Sequence, residues 1–165
     1  MGDEKTIYRE RTHWPGWVNA IFWTAIIGAS YPVLAGWDTD MDFAARVMIV
    51  GSIVVVAVAV KLVLGGLTVL VQETRVFIHL GSAPLLHTKV LYADIEGLAS
   101  VQYRPIREFG GWGIRGWGKR KAWTARGDRA VVLTLVGTRE LYIGSDRPQR
   151  LEDRIRTAAG DQFAA

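Results

Sequence analysis

The stretch WVNAIFWTAIIGASYPVLAG, residues 17–36, contains no charged side chain. As an α-helix, which rises about 1.5 Å per residue, it would be about 30 Å long, the thickness of the hydrocarbon core of a bilayer. It has no polar face to turn toward water. This composition is typical of a membrane-spanning helix.

A second apolar stretch follows at residues 43–64, and its central run, 47–60, has no ionisable group. Arg46 and Lys61 flank this run and can extend their charged ends toward the two interfaces. A buried helix pair in a soluble protein needs a polar face that neither stretch has. A cleaved signal peptide is disfavoured because a charged leader precedes the first stretch and a second span follows it. We therefore expect a leader (1–16), a two-helix transmembrane hairpin (17–64, with spans at 17–36 and 43–64) and a C-terminal domain (65–165).

The charges around the two spans predict their orientation. The leader carries Lys5, Arg9 and Arg11, and the region beyond the second span is rich in lysine and arginine. The loop between the spans instead carries three carboxylates and no cation, at Asp38, Asp40 and Asp42. Cations accumulate on the cytoplasmic side of membrane proteins. Both termini are therefore predicted to be cytoplasmic.

Small side chains recur every four residues in the first span, at Ala20, Thr24 and Gly28. Such a face lets two helices approach closely, and the partner can be the second span or a second copy of the protein. We expect this face to pack against the second span.

After residue 65 the apolar pattern changes to alternation, which indicates β-strands. The clearest strands are TRVFIHL (74–80), VVLTLVG (131–137) and RELYIGS (139–145), with weaker candidates at 67–72, 89–93, 98–104 and 121–125. A final stretch places Leu151, Ile155 and Ala159 on one helical face. The pattern predicts an all-β barrel or sandwich of about seven strands capped by a C-terminal α-helix.

The motifs YRPIREFGGWGIR (103–115) and AVVLTLVGTRELYIGS (130–145), followed by a closing helix, resemble bacterial pleckstrin-homology-like (PH-like) domains of small membrane proteins. The resemblance covers about residues 67–159, and GGWGIR (110–115) is its most specific part. It implies a PH-like β-barrel in a protein of the bacterial cytoplasmic (inner) membrane. Most members of this group have no known activity, so the resemblance does not supply a function.

The glycine-rich segment at residues 107–123, REFGGWGIRGWGKRKAW, matches G-x-G-x-x-G at 111–116 and G-x-x-x-x-G-K at 113–119. A nucleotide-binding Walker loop needs a serine or threonine after its lysine and a helix beyond it, but Arg120 stands there and no helical pattern follows. A dinucleotide site needs a βαβ unit, for which there is no room. We assign Gly110, Gly111, Trp112 and Gly113 to a structural loop, with Trp112 packed against the β-domain.

The same region is strongly basic, because residues 104–129 contain eight cations and two carboxylates. Each cation near an anionic leaflet contributes about 1 kcal/mol to membrane association, and indole rings favour the headgroup level. We predict a surface that contacts anionic phospholipids or a partner protein, made of Arg115, Trp117, Lys119, Arg120, Lys121 and Trp123.

Other chemistries have little support. The chain has no cysteine, and His79 and His87 lack a third ligand at a useful spacing, so no metal, cofactor or catalytic site is predicted. The membrane anchor argues against a nucleic-acid role for the basic surface. We predict a non-enzymatic integral membrane protein that docks lipid headgroups or protein segments. The alternative is an assembly or scaffold subunit that pairs edge strands and helices with itself or another membrane protein.

Overall fold

Two long apolar helices form the first part of the protein in a computed structural model that describes residues 4–36 and 41–163. Helix α1 spans Gly16–Leu34 and helix α2 spans Phe43–Leu64, close to the predicted spans. Asp42 caps α2, since its carboxylate accepts a hydrogen bond of 2.7 Å from the backbone N–H of Ala45. The other two carboxylates predicted for this loop, Asp38 and Asp40, lie outside the described residues.

Both helices are long and apolar enough to cross a membrane, and 6% of each apolar window is buried. The more buried side chains of α1, Val18, Phe22, Ile26 and Ser30, recur every four residues and turn toward α2. Ala20, Thr24 and Gly28 are exposed, and a Cβ at Gly28 would meet no atom within 4 Å. The prediction that this small-residue face packs against the second span is wrong. Ala20 is two residues after Val18, and two residues rotate a side chain by about 200° around the helix axis, so the small residues lie on the side opposite to the contact with α2.

The N-terminal leader contributes the first strand of the β-domain. Strand β1, Thr6–Thr12, pairs antiparallel with β2, Leu67–Gln72, so that Thr12 lies opposite Leu67. The chain therefore leaves this sheet through α1 and returns to it through α2. We did not predict a strand here, and its pairing with β2 across the whole helical hairpin shows why local pattern was insufficient.

The remaining strands and helices complete two sheets. The first sheet has the order β1-β2-β3-β4 and is antiparallel, with β3 at Arg75–Leu80 and β4 at Leu86–Leu91. The second has the order β5-β8-β9-β7-β6, and only the β7–β9 pair is parallel. Its strands are β5 (Ile95–Gln102), β6 (Gly113–Arg115), β7 (Arg120–Thr124), β8 (Arg129–Leu135) and β9 (Arg139–Gly144). Helix α3 spans Pro105–Phe109 and helix α4 spans Pro148–Ala159.

The main core lies between the two sheets and helix α4. Alternate residues of the central strands are buried there, including Val69, Ile78 and Leu133, and α4 adds Leu151 and Ile155. Helix α4 contacts β1 and β2 of one sheet and β5 and β8 of the other, so it covers one opening between them. The described strands do not close into a barrel, because β4 and β6 remain edge strands at the opposite opening. The β-rich domain with a C-terminal helix was predicted correctly. Of the two arrangements predicted for it, a barrel or a sandwich, the described strands do not form the closed barrel.

A basic cleft between two sheet edges

A cleft of about 530 Å³ occupies the opening that α4 does not cover. Its first wall is the edge strand β4, with His87, Lys89 and Val90. Its second wall is the β6–β7 hairpin, with Ile114 and Arg115 of β6, Lys119 of the turn and Lys121 of β7. Trp123 and Leu141 of the core also line it. The glycine-rich segment is therefore one wall of a cleft whose other wall comes from a different sheet.

The cleft is positively charged. Five of the residues that line it are cations and two carry carboxylates: Lys89, Arg115, Lys119, Lys121 and Arg139 against Asp94 and Glu140. Within residues 4–36 and 41–163, none of the five cations forms an ion pair, whereas Glu140 is paired with Arg120. All five cations are exposed. Their charge is therefore available to an anionic ligand.

Strand alternation divides the predicted basic and aromatic surface between two faces of β7. Lys121 and Trp123 point to the inner side of the second sheet, while Arg120 and Ala122 point to its outer side. Trp123 is 7% exposed and belongs to the main core. The prediction that Trp123 contacts lipid or a partner surface is therefore wrong, because its ring packs between the sheets.

Arg120 lies outside the cleft and ties together the outer face of the second sheet. Its guanidinium donates hydrogen bonds to the Glu140 carboxylate at 2.9 Å and to the Tyr142 hydroxyl at 2.6 Å. The hydrogen bond with Tyr142, followed by the interaction with Glu140, raises the pKa of Arg120 above its usual value. The guanidinium also stacks over Phe109, 5.5 Å from the ring centroid. These contacts assign Arg120 a structural role in place of the surface role predicted for it.

The turn between β6 and β7 carries the most exposed indole of the predicted surface. Trp117 is 94% exposed, and the Nζ of Lys119 donates a hydrogen bond of 2.7 Å to the Thr138 hydroxyl in the β8–β9 turn. Gly116 has a φ of 108°, and a Cβ there would lie 2.2 Å from the carbonyl oxygen of Arg120. This turn therefore requires glycine where the backbone approaches β7.

The residues assigned to a structural loop connect α3 to β6. Gly110 ends α3 in the left-handed conformation, with a φ of 72°, and its N–H bonds to the carbonyl oxygen of Ile106. Gly111 and Gly113 also have positive φ. Trp112 is half-buried, and its Nε1 donates to the carbonyl oxygen of Gly127 at 2.8 Å.

The nucleotide-loop patterns do not have the geometry of a phosphate site. Gly113 lies in strand β6, and the chain after Lys119 enters strand β7. A Walker loop would instead lead into a helix whose N-terminus faces the phosphates. The chain also offers no group of three or more metal-binding side chains among the residues that the structure describes.

The cleft extends away from helices α1 and α2. Leu86 lies opposite Leu80, which lies opposite Leu67 just beyond the end of α2. Leu91 is five residues farther along β4, or about 17 Å at the usual rise of a strand. The N–H of Val136 bonds to the carbonyl oxygen of Asp94, so the β8–β9 turn with Thr138 lies at this far end. Lys119, which bonds to Thr138, therefore lies far from the helix junction.

Sequence reasoning identified Arg115, Lys119 and Lys121 but missed two other cations of the cleft, Lys89 on the opposite wall and Arg139 at the start of β9. Both are exposed, but the local sequence of β4 and β9 does not show which strands face each other. The chain matches no protein-family model, and a search of curated proteins finds no match either. The functional interpretation therefore depends on the fold and the chemistry of the cleft.

Proposed function

We propose that this chain is an integral protein of the bacterial cytoplasmic membrane whose PH-like domain, in the cytoplasm, binds acidic protein segments in the basic cleft. The membrane assignment is supported by the large apolar side chains that both helices expose, among them Ile27 at 67% and Val55 at 68%. In water such a surface would be strongly unfavourable. The cations of the leader and β-domain favour the cytoplasmic side for both termini.

The observation that carries the binding function is the position of five cations along the cleft between two free strand edges, none of them in an ion pair with a described residue. At an edge, every second residue of β4 directs its backbone N–H and C=O groups away from β3. An extended segment can hydrogen-bond to these groups as an added strand. Acidic side chains on that segment that point into the cleft would then meet Lys121, while Lys89 lies beside them on the edge strand itself.

A protein segment suits the cleft better than the surrounding lipid does. The end of the cleft at Lys119 lies about 17 Å along the strands from the helix junction. At physiological ionic strength the Debye length is about 8 Å, so charges on the bilayer surface are largely screened at that distance. Lipid headgroups are more accessible to cations nearer the helices.

The binding function is tested with a fluorescent ten-residue peptide of alternating valine and glutamate and the full-length protein in a neutral detergent. Fluorescence anisotropy should show saturable binding that weakens with salt, and Lys121→Gln should weaken it about fivefold, as for the loss of about 1 kcal/mol. Arg154→Gln, which removes an exposed cation from α4 outside the cleft, is the control and should bind as the wild type does.

A second peptide tests the strand-addition geometry. Proline at its centre removes a backbone donor, so it should bind more weakly than the parent although its charge is unchanged. Equal binding of an alternating valine–lysine peptide, or equal loss in Lys121→Gln and Arg154→Gln, would exclude the cleft as the binding site.

A second function, as an assembly or scaffold subunit, is favoured by the outward position of Ala20, Thr24 and Gly28. This face is free to contact a helix of a second copy or of another membrane protein. Because the chain has no cysteine, single-cysteine variants can locate such a contact. Oxidation in native membranes should cross-link Thr24→Cys into a dimer but leave Val18→Cys, on the face toward α2, monomeric. Monomeric Thr24→Cys would reject pairing of two copies through this face.

A further inference from the structure

A smaller cavity, of about 320 Å³, lies where the β-domain meets the helices. Arg11 of β1 and Ser82 of the β3–β4 turn line it from the domain side. Helices α1 and α2 contribute Trp23, Val58, Lys61 and Leu62. The cavity thus combines a cation and a hydroxyl from the domain with a second cation and apolar side chains from the helices.

Lys61 is a half-buried cation with a neutral partner. Its Nζ donates a hydrogen bond of 2.7 Å to the Oδ1 of Asn19. The ammonium also lies 5.2 Å from the ring centroid of Trp23 and 5.5 Å from that of Phe22. Among the described residues no carboxylate forms an ion pair with it. Its charge is therefore held in place by groups that do not neutralise it.

Arg11 supplies the second cation of the cavity. Its Nη2 donates to the Ser82 hydroxyl at 3.2 Å, and it too has no ion-pair partner within the described part of the chain. Val58 and Leu62 are each 49% exposed and continue from the cavity along the outer surface of α2. The cavity therefore opens onto an apolar helix surface at its helix side.

We propose that this cavity binds the headgroup of an anionic phospholipid, with the phosphate between Arg11 and Lys61 and the acyl chains along Val58 and the adjoining surface of α2. The inference rests on the proposed crossing of the membrane by α1 and α2, which places Lys61, three residues before the end of α2, at the headgroup level. Two cations without a counter-charge match a phosphodiester anion. The apolar wall matches the glycerol and acyl part of a lipid and excludes a free phosphate as the preferred ligand.

The test is native mass spectrometry of the full-length protein in detergent with equal amounts of phosphatidylglycerol and phosphatidylcholine carrying the same acyl chains. The wild type should retain one phosphatidylglycerol in preference to phosphatidylcholine. Lys61→Gln and Arg11→Gln should each reduce that preference about fivefold. Arg154→Gln has the same change in net charge but lies on α4, outside both this cavity and the basic cleft, so it should keep the preference.

Asn19→Asp gives a second, independent variant. It keeps nearly the same side-chain volume and places a carboxylate beside the Lys61 ammonium, which supplies the missing counter-charge within the protein. It should therefore lose the preference for phosphatidylglycerol without losing Lys61. Equal retention of both lipids by the wild type, or an equal effect of Arg154→Gln and Lys61→Gln, would overturn the proposal.

Two controls separate the possible reasons for failure. Glycerol phosphate at the same concentration should not displace phosphatidylglycerol; if it does, the site binds soluble phosphate esters and the lipid assignment is wrong. Carbonate extraction of native membranes should leave both the wild type and Lys61→Gln in the membrane. Release of the wild type would overturn the proposed membrane anchor, whereas retention with no lipid preference would overturn this site alone.

Discussion

The carboxylate of Glu10 accepts a hydrogen bond of 2.6 Å from the hydroxyl of Ser145, 135 residues farther along the chain. The same oxygen accepts a second hydrogen bond, of 3.1 Å, from the backbone N–H of Asp146. Glu10 lies in β1 and Ser145 directly precedes the turn into α4. The N-terminal segment is thus joined to the C-terminal helix as well as to β2, and it forms part of the folded domain.

Glu10→Ala should destabilise the β-domain because it leaves three hydrogen-bond donors without this acceptor: the hydroxyls of Ser145 and Tyr8 and the backbone N–H of Asp146. Ser145 is 4% exposed, so water does not readily replace the carboxylate. The expected loss in the free energy of unfolding is about 1–3 kcal/mol. Thermal unfolding of the purified protein in detergent, followed by tryptophan fluorescence, measures it. Glu96→Ala removes an exposed carboxylate and is the control; equal midpoints for the two variants would show that the Glu10 contacts contribute nothing.

The two tryptophans predicted to share one surface should respond differently to truncation. Trp123→Ala leaves a cavity in the main core and should cost about 3–5 kcal/mol of stability. Trp117→Ala removes a ring that is 94% exposed, and stability should change by less than about 0.5 kcal/mol. Chemical unfolding of the two variants measures the difference, and a stable Trp123→Ala would contradict the burial of this ring between the sheets.

The stability of the domain should fall as the pH is lowered from about 7 to 5.5. Burial, followed by the charges of Arg9, Arg11 and His87, lowers the pKa of His79 below its usual value of about 6.5. The unfolded chain therefore binds a proton more readily than the folded domain does. The stability from neutral His79 is present above about pH 6.5 and is lost as the pH falls through that value.

Replacing His79 tests this pH dependence. His79→Phe should flatten the decrease in the thermal midpoint between pH 7 and 5.5, while His13→Gln, at an exposed position that is not among the groups shifting the pKa of His79, should retain it. The pKa values of Glu4 and Glu152 are lowered, mainly by hydrogen bonds to Thr74 and Ser100, so their stabilisation is lost only below about pH 4.5. An unchanged slope in His79→Phe would assign the pH dependence to another group.

Local pattern predicted the elements of the fold well. The two apolar helices follow from apolar runs, one of 20 uncharged residues (17–36) and one whose central 14 residues (47–60) have no ionisable group. TRVFIHL (74–80) became β3 because Val76, Ile78 and Leu80 recur at every second position. The hairpin around Gly137 and the helix with Leu151 and Ile155 followed from the same kind of local signal. Each of these features depends on residues that are close together in the chain.

The features that the sequence did not predict depend on distant pairings. Strand β1 forms because β2, 55 residues later, offers an edge, and the opening between β4 and β6 depends on the order of strands in two sheets. Which residues of β7 point toward the core also depends on the side of the strand on which the core lies. A run of charged and aromatic residues shows that successive side chains alternate, but not which set is buried. This is why Trp123 was assigned to the surface and Lys89 was not assigned to the cleft.

Arg120 and Lys121 are adjacent cations on opposite faces of β7, and their replacement by glutamine should separate stability from binding. Arg120→Gln loses the hydrogen bonds to Glu140 and Tyr142 and should lower the free energy of unfolding by about 1 kcal/mol, a modest figure because the Arg120 side chain is 48% exposed. Lys121→Gln loses no such contact, so its stability should match the wild type within about 0.5 kcal/mol while its affinity for the valine–glutamate peptide falls. Thermal unfolding and anisotropy on both variants check this. If Arg120→Gln weakens peptide binding at wild-type stability while Lys121→Gln unfolds more easily, the assignment of the two faces is reversed, because alternation along a strand allows only one of the two side chains to reach the cleft.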